Sequence, residues 1–270
     1  MGQNISGCTR VLGLIADPIA QARTPAMANA LLAQHHQFGQ VVLVPMQVSA
    51  SGLAAFVDGL RAFQNFGGAV VSMPHKTAMA ALVDELTPQA QRIHAVNVVR
   101  REPDGRLIGT ALDGEGFVGG LAASGHAVVG TSCLLVGAGG AASAIAFALA
   151  EHGCTSLTLI NRTQHKCDAL AERIRTDFPN VIVATSIPLN ARFDLGVNGT
   201  SLGMQASDAL PLPDDLIDRC TLIAECVIAP EMTPLLIRAR GRGRLIHTGV
   251  PMLAAQMALM LSFMGVQNNL

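Results

Sequence analysis

The chain has 270 residues, half of them hydrophobic, and its 18 Lys and Arg against 19 Asp and Glu leave a formal net charge of −1. That length and apolar content suffice for two modest domains, each with a core of its own. The balanced charge argues against a nucleic-acid surface, nine Phe with no Trp and no Tyr leave few platforms for bases, and the lack of Tyr excludes dehydrogenases that rely on a Tyr/Lys pair for proton transfer.

The first ten residues, MGQNISGCTR, contain no apolar segment of the kind that a secretory leader needs. Gly2 and Ser6 fit the short N-myristoylation pattern, but so short a pattern is common by chance and is read as an ordinary terminus. The most apolar stretch, residues 252–266, is too short to cross a bilayer and is interrupted by Gln256 and Ser262. Cysteines at 8, 133, 154, 167, 220 and 226 show no metal-binding spacing, so they read as thiols in a reducing compartment and no metal site is expected. A cytoplasmic protein, monomer or homodimer, with no nucleic-acid or membrane partner is the expectation.

Residues 10–15 predict a short buried strand that ends at the turn Asp17-Pro18. Thr24 is placed to cap a helix with Pro25 at its first position. A second strand over 41–45, a helix over 51–63 and a third strand over 69–72 continue the alternation, which predicts a parallel or mixed α/β sheet. Met73-Pro74-His75-Lys76 follows that third strand and leads into a helix over 77–86. Lys76 thus sits where a strand gives way to a helix, the crevice position of open α/β sheets. Residues 95–99 and 107–112, separated by Pro103-Asp104-Gly105, predict a hairpin, and Asp113-Gly114 opens a helix over 115–123.

From Cys133 the order is strand, glycine turn, helix, strand. Gly137 permits a tight turn, Gly139 lets the backbone approach a pyrophosphate, and the small Ala142 at the third position lets the helix pack closely on its strand. Backbone amides at Gly137, Ala138, Gly139, Gly140 and Ala141 would then face the phosphates at the positive end of a helix. The second strand, 157–160, ends in Asn161, Arg162 and Thr163, with Lys166 close by. NAD sites usually carry an acid there, whereas a guanidinium and an ammonium suit a 2′-phosphate, so NADP is favoured over NAD. A helix over 170–178 and strands over 181–184, 193–198, 222–226 and 244–247 complete a Rossmann-like unit. Asn198, Thr200 and Ser201 at the end of one of these strands are candidates for the nicotinamide end. An apolar helix over 252–264 carries Gln256.

These landmarks together resemble the shikimate dehydrogenase family. The matching segments are DPIAQARTP (17–25), VSMPHK (71–76), AVN (95–97), DGEGF (113–117), GAGGAA (137–142), NRT (161–163), NGTSLGM (198–204), PEMTPLL (230–236) and GVPMLAAQ (249–256). The resemblance implies two α/β domains with a cleft between them: a substrate domain formed by 1–112 with 248–270, and a dinucleotide domain over 113–247. It further implies hydride transfer between NADP or NAD and a ring hydroxyl of a cyclic hydroxy acid. By position, Lys76 and Asp113 resemble the catalytic pair, and Thr24, Ser72, Asn97 and Gln256 resemble substrate ligands. Lysine chemistry agrees with that role, since loss of hydride from a secondary alcohol requires a group that also takes the hydroxyl proton.

Several positions depart from the family pattern. Ala22 and Thr24 stand where two serines usually hold the ring carboxylate, Ala111-Leu112 replaces polar neighbours of the acid, and Ile228 replaces a tyrosine. Each hydrogen bond lost to a charged group costs about 1.5 to 3 kcal/mol, so the preferred acid is left open among shikimate, quinate, an aminated analogue or another hydroxylated ring acid. A regulatory protein that senses NAD(P) without efficient turnover is the alternative.

Overall fold

Two six-stranded sheets organise the chain. The computed structural model describes residues 4–266, so Gly2 of the myristoylation pattern lies outside the described residues. Contacts divide the protein into one unit made of the residues up to Leu112 with those from Met257 onward, and a second made of Asp113–Gln256.

The first unit contains β1 (Arg10–Ala16), α1 (Thr24–Gln34), β2 (Val41–Gln47), a 3-10 turn at Ala50–Gly52, α2 (Leu53–Ala62), β3 (Phe66–Val71), α3 (Lys76–Ala80), β4 (Glu85–Leu86), α4 (Pro88–Ile93), β5 (Val98–Arg101) and β6 (Leu107–Thr110). Its strands lie in the order β2-β1-β3-β5-β6-β4. β1 pairs in parallel with both β2 and β3, whereas β5 runs antiparallel to β3 and β6, so the sheet is mixed as the alternation of elements predicts. All six residues of β3 are buried, in keeping with an unbroken apolar run in the middle of a sheet.

Two local expectations are corrected. Thr24 does not cap α1: the helix already includes it, Arg23 precedes it, and the Arg23 carbonyl accepts from the Met27 N–H at 3.1 Å. The helix expected over 77–86 stops at Ala80, and Glu85–Leu86 instead pairs with β6 as an edge strand. Tertiary bonds override local helix propensity there, because Asp84 takes the Leu107 N–H on its carboxylate at 2.8 Å and also pairs with Arg61. Thr87-Pro88, a cap followed by proline, marks α4, which the sequence reading passed over; the Thr87 hydroxyl accepts from the Ala90 N–H.

The second unit runs through α5 (Asp113–Ala123), β7 (Ser132–Val136), α6 (Gly140–Glu151), β8 (Ser156–Ile160), α7 (Gln164–Asp177), β9 (Ile182–Ala184), β10 (Phe193–Asn198), α8 (Asp214–Asp218), β11 (Cys220–Glu225), α9 (Pro234–Gly241) and β12 (Leu245–His247), and into α10 (Val250–Phe263). All pairings in this sheet are parallel, in the order β12-β11-β10-β7-β8-β9. The chain winds outward from β7 through β8 to β9, then returns to β10 and winds the other way. The carboxyl ends of β7 and β10 therefore flank the topological switch point, where ligands of open α/β sheets bind. One face is filled by Leu134, Phe193 and Ile223 from the strands against Leu216, Ile217 and Leu236 from α8 and α9.

Helix α10 is divided between the units at Gln256 and Met257. Within the second unit its first turns lie against Gly120 of α5, close enough that a Cβ there would sit 2.7 Å from the Met252 nitrogen. Within the first unit the Arg10 guanidinium donates to the Met264 and Gly265 carbonyls just beyond the end of α10, a charge-assisted cap of those orphan acceptors. Among the described residues no helix is long and apolar enough to cross a membrane.

Candidate active site

The glycine turn of the second unit stands at the carboxyl end of β7. The N–H of Gly137 donates to Ile160 of β8 at 2.8 Å, and the Gly199 N–H donates to Val136 at 2.8 Å, so the turn is pinned from both neighbouring strands. Gly137 has φ +118, a conformation that L side chains rarely adopt. Gly139 precedes the first turn of α6 with no side-chain cap bond, and nothing lies within 4 Å of where its Cβ would be. This is the cradle a pyrophosphate requires: room for close approach and helix-start amides left without a side-chain acceptor. Ala142 is fully buried, and a Cβ on Gly199 would come within 2.9 Å of its own. Ala138, Gly140 and Ala141 remain partly accessible around the turn.

Beyond β8, Arg162 and Lys166 are exposed. Asn161 folds its amide onto the Thr163 carbonyl at 3.1 Å, and Thr163 precedes α7 without a side-chain cap bond. The short loop is thus held while its two cations face outward, an arrangement suited to a phosphate monoester on the adenosine ribose.

Asn198, expected near the nicotinamide, is fully buried. Its Nδ2 donates to Glu225 at 2.8 Å and to the Leu202 carbonyl at 2.9 Å, and its Oδ1 accepts from the Thr200 N–H and hydroxyl. Its side chain therefore shapes the 198–203 loop instead of lining its surface. Thr200 is half-buried beside Gly137, and Ser201 is exposed. Glu225 and Thr233, which the sequence reading did not single out, complete this buried group; the Thr233 hydroxyl donates to Glu225 at 2.8 Å and accepts from the Leu236 N–H. Burial pushes the Glu225 carboxyl up to about 7, against the downward pull of hydrogen bonds from Thr233, Asn198 and the Val227 backbone.

In the first unit, β1 and β3 end side by side. Ser72 donates its N–H to Ile15 at 2.9 Å and Asp17 donates to Met73 at 3.1 Å. His75 is buried, with Nε2 2.8 Å from the Val48 carbonyl, and so anchors the turn that starts α3 at Lys76. The Lys76 carbonyl accepts from Val96 at 2.9 Å, and the neighbouring Asn97 donates its N–H to Thr110 while its carbonyl accepts from Val71 at 2.7 Å. Ser72, Lys76 and Asn97 are therefore drawn together at one end of this sheet. Thr24, also buried, begins α1. Asp113 and Gln256 belong to the second unit: Asp113 is buried as the first residue of α5, and Gln256 is buried on α10 against Gly116.

Two family models match the chain: the shikimate dehydrogenase substrate binding domain over residues 14–99 and shikimate / quinate 5-dehydrogenase over residues 121–191. An NADP(+) shikimate dehydrogenase of Geobacter metallireducens is 39% identical over 262 residues, covering 94% of this chain and 90% of that protein. The chain belongs to the shikimate dehydrogenase family. A Thermus thermophilus shikimate 5-dehydrogenase solved with NADP(H) and shikimate superposes with a TM-score of 0.82 at 32% identity, covering 95% of this chain and 94% of that one. The 5-ketofructose reductase of Gluconobacter, at a TM-score of 0.82 and 28% identity over 96% of this chain and 94% of its own, shows that a closely similar fold also serves a differently named reductase.

Membership of the shikimate dehydrogenase family accounts for the two α/β units and for a glycine turn at a switch point. It lends no support to the sensor reading, because these relatives are named as dehydrogenases and a reductase.

Proposed function

We propose that this protein is an NADP-preferring oxidoreductase that moves a hydride to or from a ring hydroxyl of a shikimate-like hydroxylated cyclic acid. The observation that carries this reading is the open Gly137–Ala142 cradle at the switch point of the parallel sheet, with Arg162 and Lys166 exposed beyond the next strand. The second unit is assigned to the dinucleotide and the first to the ring acid.

The nicotinamide supplies the hydride acceptor or donor. Lys76 is assigned the proton: when hydride leaves a secondary alcohol, the hydroxyl proton passes to the lysine amine, and in the reverse direction the ammonium returns it. Asp113 is assigned to orient that amine and to contact the same hydroxyl; its place at the start of α5 keeps a carboxylate at a favourable helix end. Thr24, Ser72, Asn97 and Gln256 are the proposed ligands of the remaining ring groups. Ala22 and Ile228 offer no hydrogen bonds from their side chains, so binding of a carboxylate depends more heavily on Thr24 and Ser72. That is the reason to include quinate and aminated analogues beside shikimate as substrates. A cytoplasmic monomer or homodimer completes the reading.

A panel of shikimate, quinate and aminated ring acids with NADP and NAD, followed by absorbance of the reduced nicotinamide, tests it. Turnover of at least one ring acid with a preference for NADP is expected. Tight NADPH binding with no turnover across the panel would instead favour the sensor.

A further inference from the structure

Glu225 is costly where it stands. It is fully buried at the end of β11, and its partners are neutral: the Asn198 amide, the Thr233 hydroxyl and the Val227 backbone N–H. An apolar residue in such a place would avoid the desolvation of a carboxylate. Full burial also keeps the side chain from touching a ligand, so its use lies in what it orients.

Above its pKa of about 7 Glu225 is ionised, and an ionised carboxylate only accepts hydrogen bonds. The side of the Asn198 amide that faces Glu225 must therefore be its NH2, which donates at 2.8 Å. That choice turns Oδ1 toward Thr200, whose N–H and hydroxyl donate to it at 3.1 and 2.7 Å. It also lets Nδ2 reach the Leu202 carbonyl at 2.9 Å, while the Thr200 hydroxyl accepts from the Leu202 N–H at 3.1 Å. Thr200 so held lies against the glycine turn: a Cβ on Gly137 would be 3.1 Å from the Thr200 methyl. A flipped amide would aim Oδ1 at the carboxylate and lose the bonds on both sides.

We propose that Glu225 is a positioning residue for the dinucleotide: its carboxylate locks the orientation of the Asn198 amide, and that amide holds Thr200 against the Gly137 turn. Thr233 marks a second branch from the same carboxylate, directed to the start of α9. The proposal rests on the dinucleotide reading of the second unit and names a determinant of affinity that does not itself meet the ligand.

The test is a double-mutant cycle on NADPH affinity at about pH 8, where Glu225 is ionised, read by fluorescence of the reduced nicotinamide in the full chain. Glu225→Gln keeps the shape but presents an amide that no longer dictates the Asn198 orientation; a Kd raised about tenfold, with the KM for the ring acid changed less than about twofold, is expected. Asn198→Ala should weaken NADPH to a similar degree, and the double variant should be no weaker than either single one by more than about twofold, because both break one chain of contacts. Thr233→Val, which cuts the other branch, should lower the melting temperature while leaving the NADPH Kd within about twofold. An unchanged Kd in Glu225→Gln, or additive losses in the cycle, overturns the proposal; so does a Thr233→Val variant that loses affinity as much as Glu225→Gln. If Glu225→Gln does not fold, Asn198→Ala decides alone, and an unchanged Kd there overturns it. Failure of the wild-type protein to bind NADPH would overturn the dinucleotide reading as well, whereas normal wild-type binding isolates the failure to Glu225.

Discussion

The side-chain oxygen of Asn97 accepts the backbone N–H of Leu112 at 2.7 Å, so one substrate-ligand candidate also fixes the chain immediately before Asp113. With Oδ1 turned to Leu112, the Asn97 amide presents its NH2 on the opposite side, as a donor. Asn97→Ala would remove a buried side chain and leave the part-buried Leu112 N–H without this acceptor, which costs about 1 kcal/mol of stability. It is also expected to raise the KM for the ring acid about tenfold. Melting temperature and KM measured together check both effects; a lower melting temperature with an unchanged KM would make Asn97 part of the scaffold alone.

Lys76 and Asp113 come from different units, so their assignment as one acid/base pair is tested by how their losses combine. Lys76→Ala is expected to lower kcat by about 100-fold to 10,000-fold, the range that positioned proton transfer supplies, with the NADPH Kd within about twofold of wild type. Asp113→Asn should lower kcat less, and the double variant should be little worse than Lys76→Ala, as befits groups that act as a unit. Multiplicative losses, or a Lys76→Ala enzyme that keeps its turnover, would remove the lysine from the proton path.

Choice of cofactor is expected to depend on Arg162. Its removal as Arg162→Ala takes away a charge-assisted bond to a 2′-phosphate, about 1.5 to 3 kcal/mol, and so should raise the KM for NADP roughly 10-fold to 150-fold. NAD lacks that phosphate and its KM should hardly move. The ratio of kcat/KM for the two cofactors is the measurement, and a parallel change for both would mean that Arg162 serves the loop and not the phosphate.

Much of this arrangement was legible in the sequence because local chemistry and fold agree there. GAGGAA between two apolar runs has few physical solutions, and the turn at Gly137 with an open Gly139 is one of them. The inward turn of the Asn198 side chain is not legible in the same way. Its partner Glu225 lies on another strand, and spacing along the chain carries no sign that an amide will be turned inward by a carboxylate 27 residues away. The same holds for residues 81–86, where helix-forming residues give way to a sheet edge because Asp84 finds Leu107 and Arg61. Such long-range pairs become visible only once the chain is folded.

Gly120 and Gly59 both lie within helices, yet opposite outcomes are expected from replacing them. A methyl at Gly120 would meet backbone atoms of α10, 2.7 Å from the Met252 nitrogen and 2.8 Å from the Pro251 carbonyl carbon, and backbone cannot turn aside as a side chain can. Gly120→Ala should therefore destabilise by about 1 to 3 kcal/mol. Around Gly59 of α2 nothing lies within 4 Å of the added carbon. Gly59→Ala should stabilise by about 0.4 to 1 kcal/mol through the entropy of the unfolded chain. Urea midpoints of the two variants compare them directly, and equal effects would contradict the packing of α5 on the start of α10.

His247 and Glu225 should impose opposite pH dependences on the second unit. His247 is buried beside His126 and Phe117 with Nε2 lacking a partner among the described residues, and burial, with a smaller contribution from His126, pushes its pKa down from 6.5 to about 4. Its unfolded form binds the proton more readily, so stability present above pH 6.5 is lost as pH falls toward 4, by about 3 kcal/mol at 1.36 kcal/mol per unit. Glu225 behaves in reverse: its folded pKa rises from 4.5 to about 7, so stability present below pH 4.5 is lost as pH rises through 7, again by about 3 kcal/mol. Between pH 4.5 and 6.5 the two slopes offset each other. His247→Phe removes the rising slope and keeps an aromatic edge toward Phe117, so relative to wild type its stability should fall as pH rises through that window. Glu225→Gln removes the falling slope, and its stability relative to wild type should climb with pH. Unfolding midpoints at four pH values between 4.5 and 7.5 read the two slopes; differences from wild type that do not change with pH would mean that neither buried group changes its proton affinity on folding.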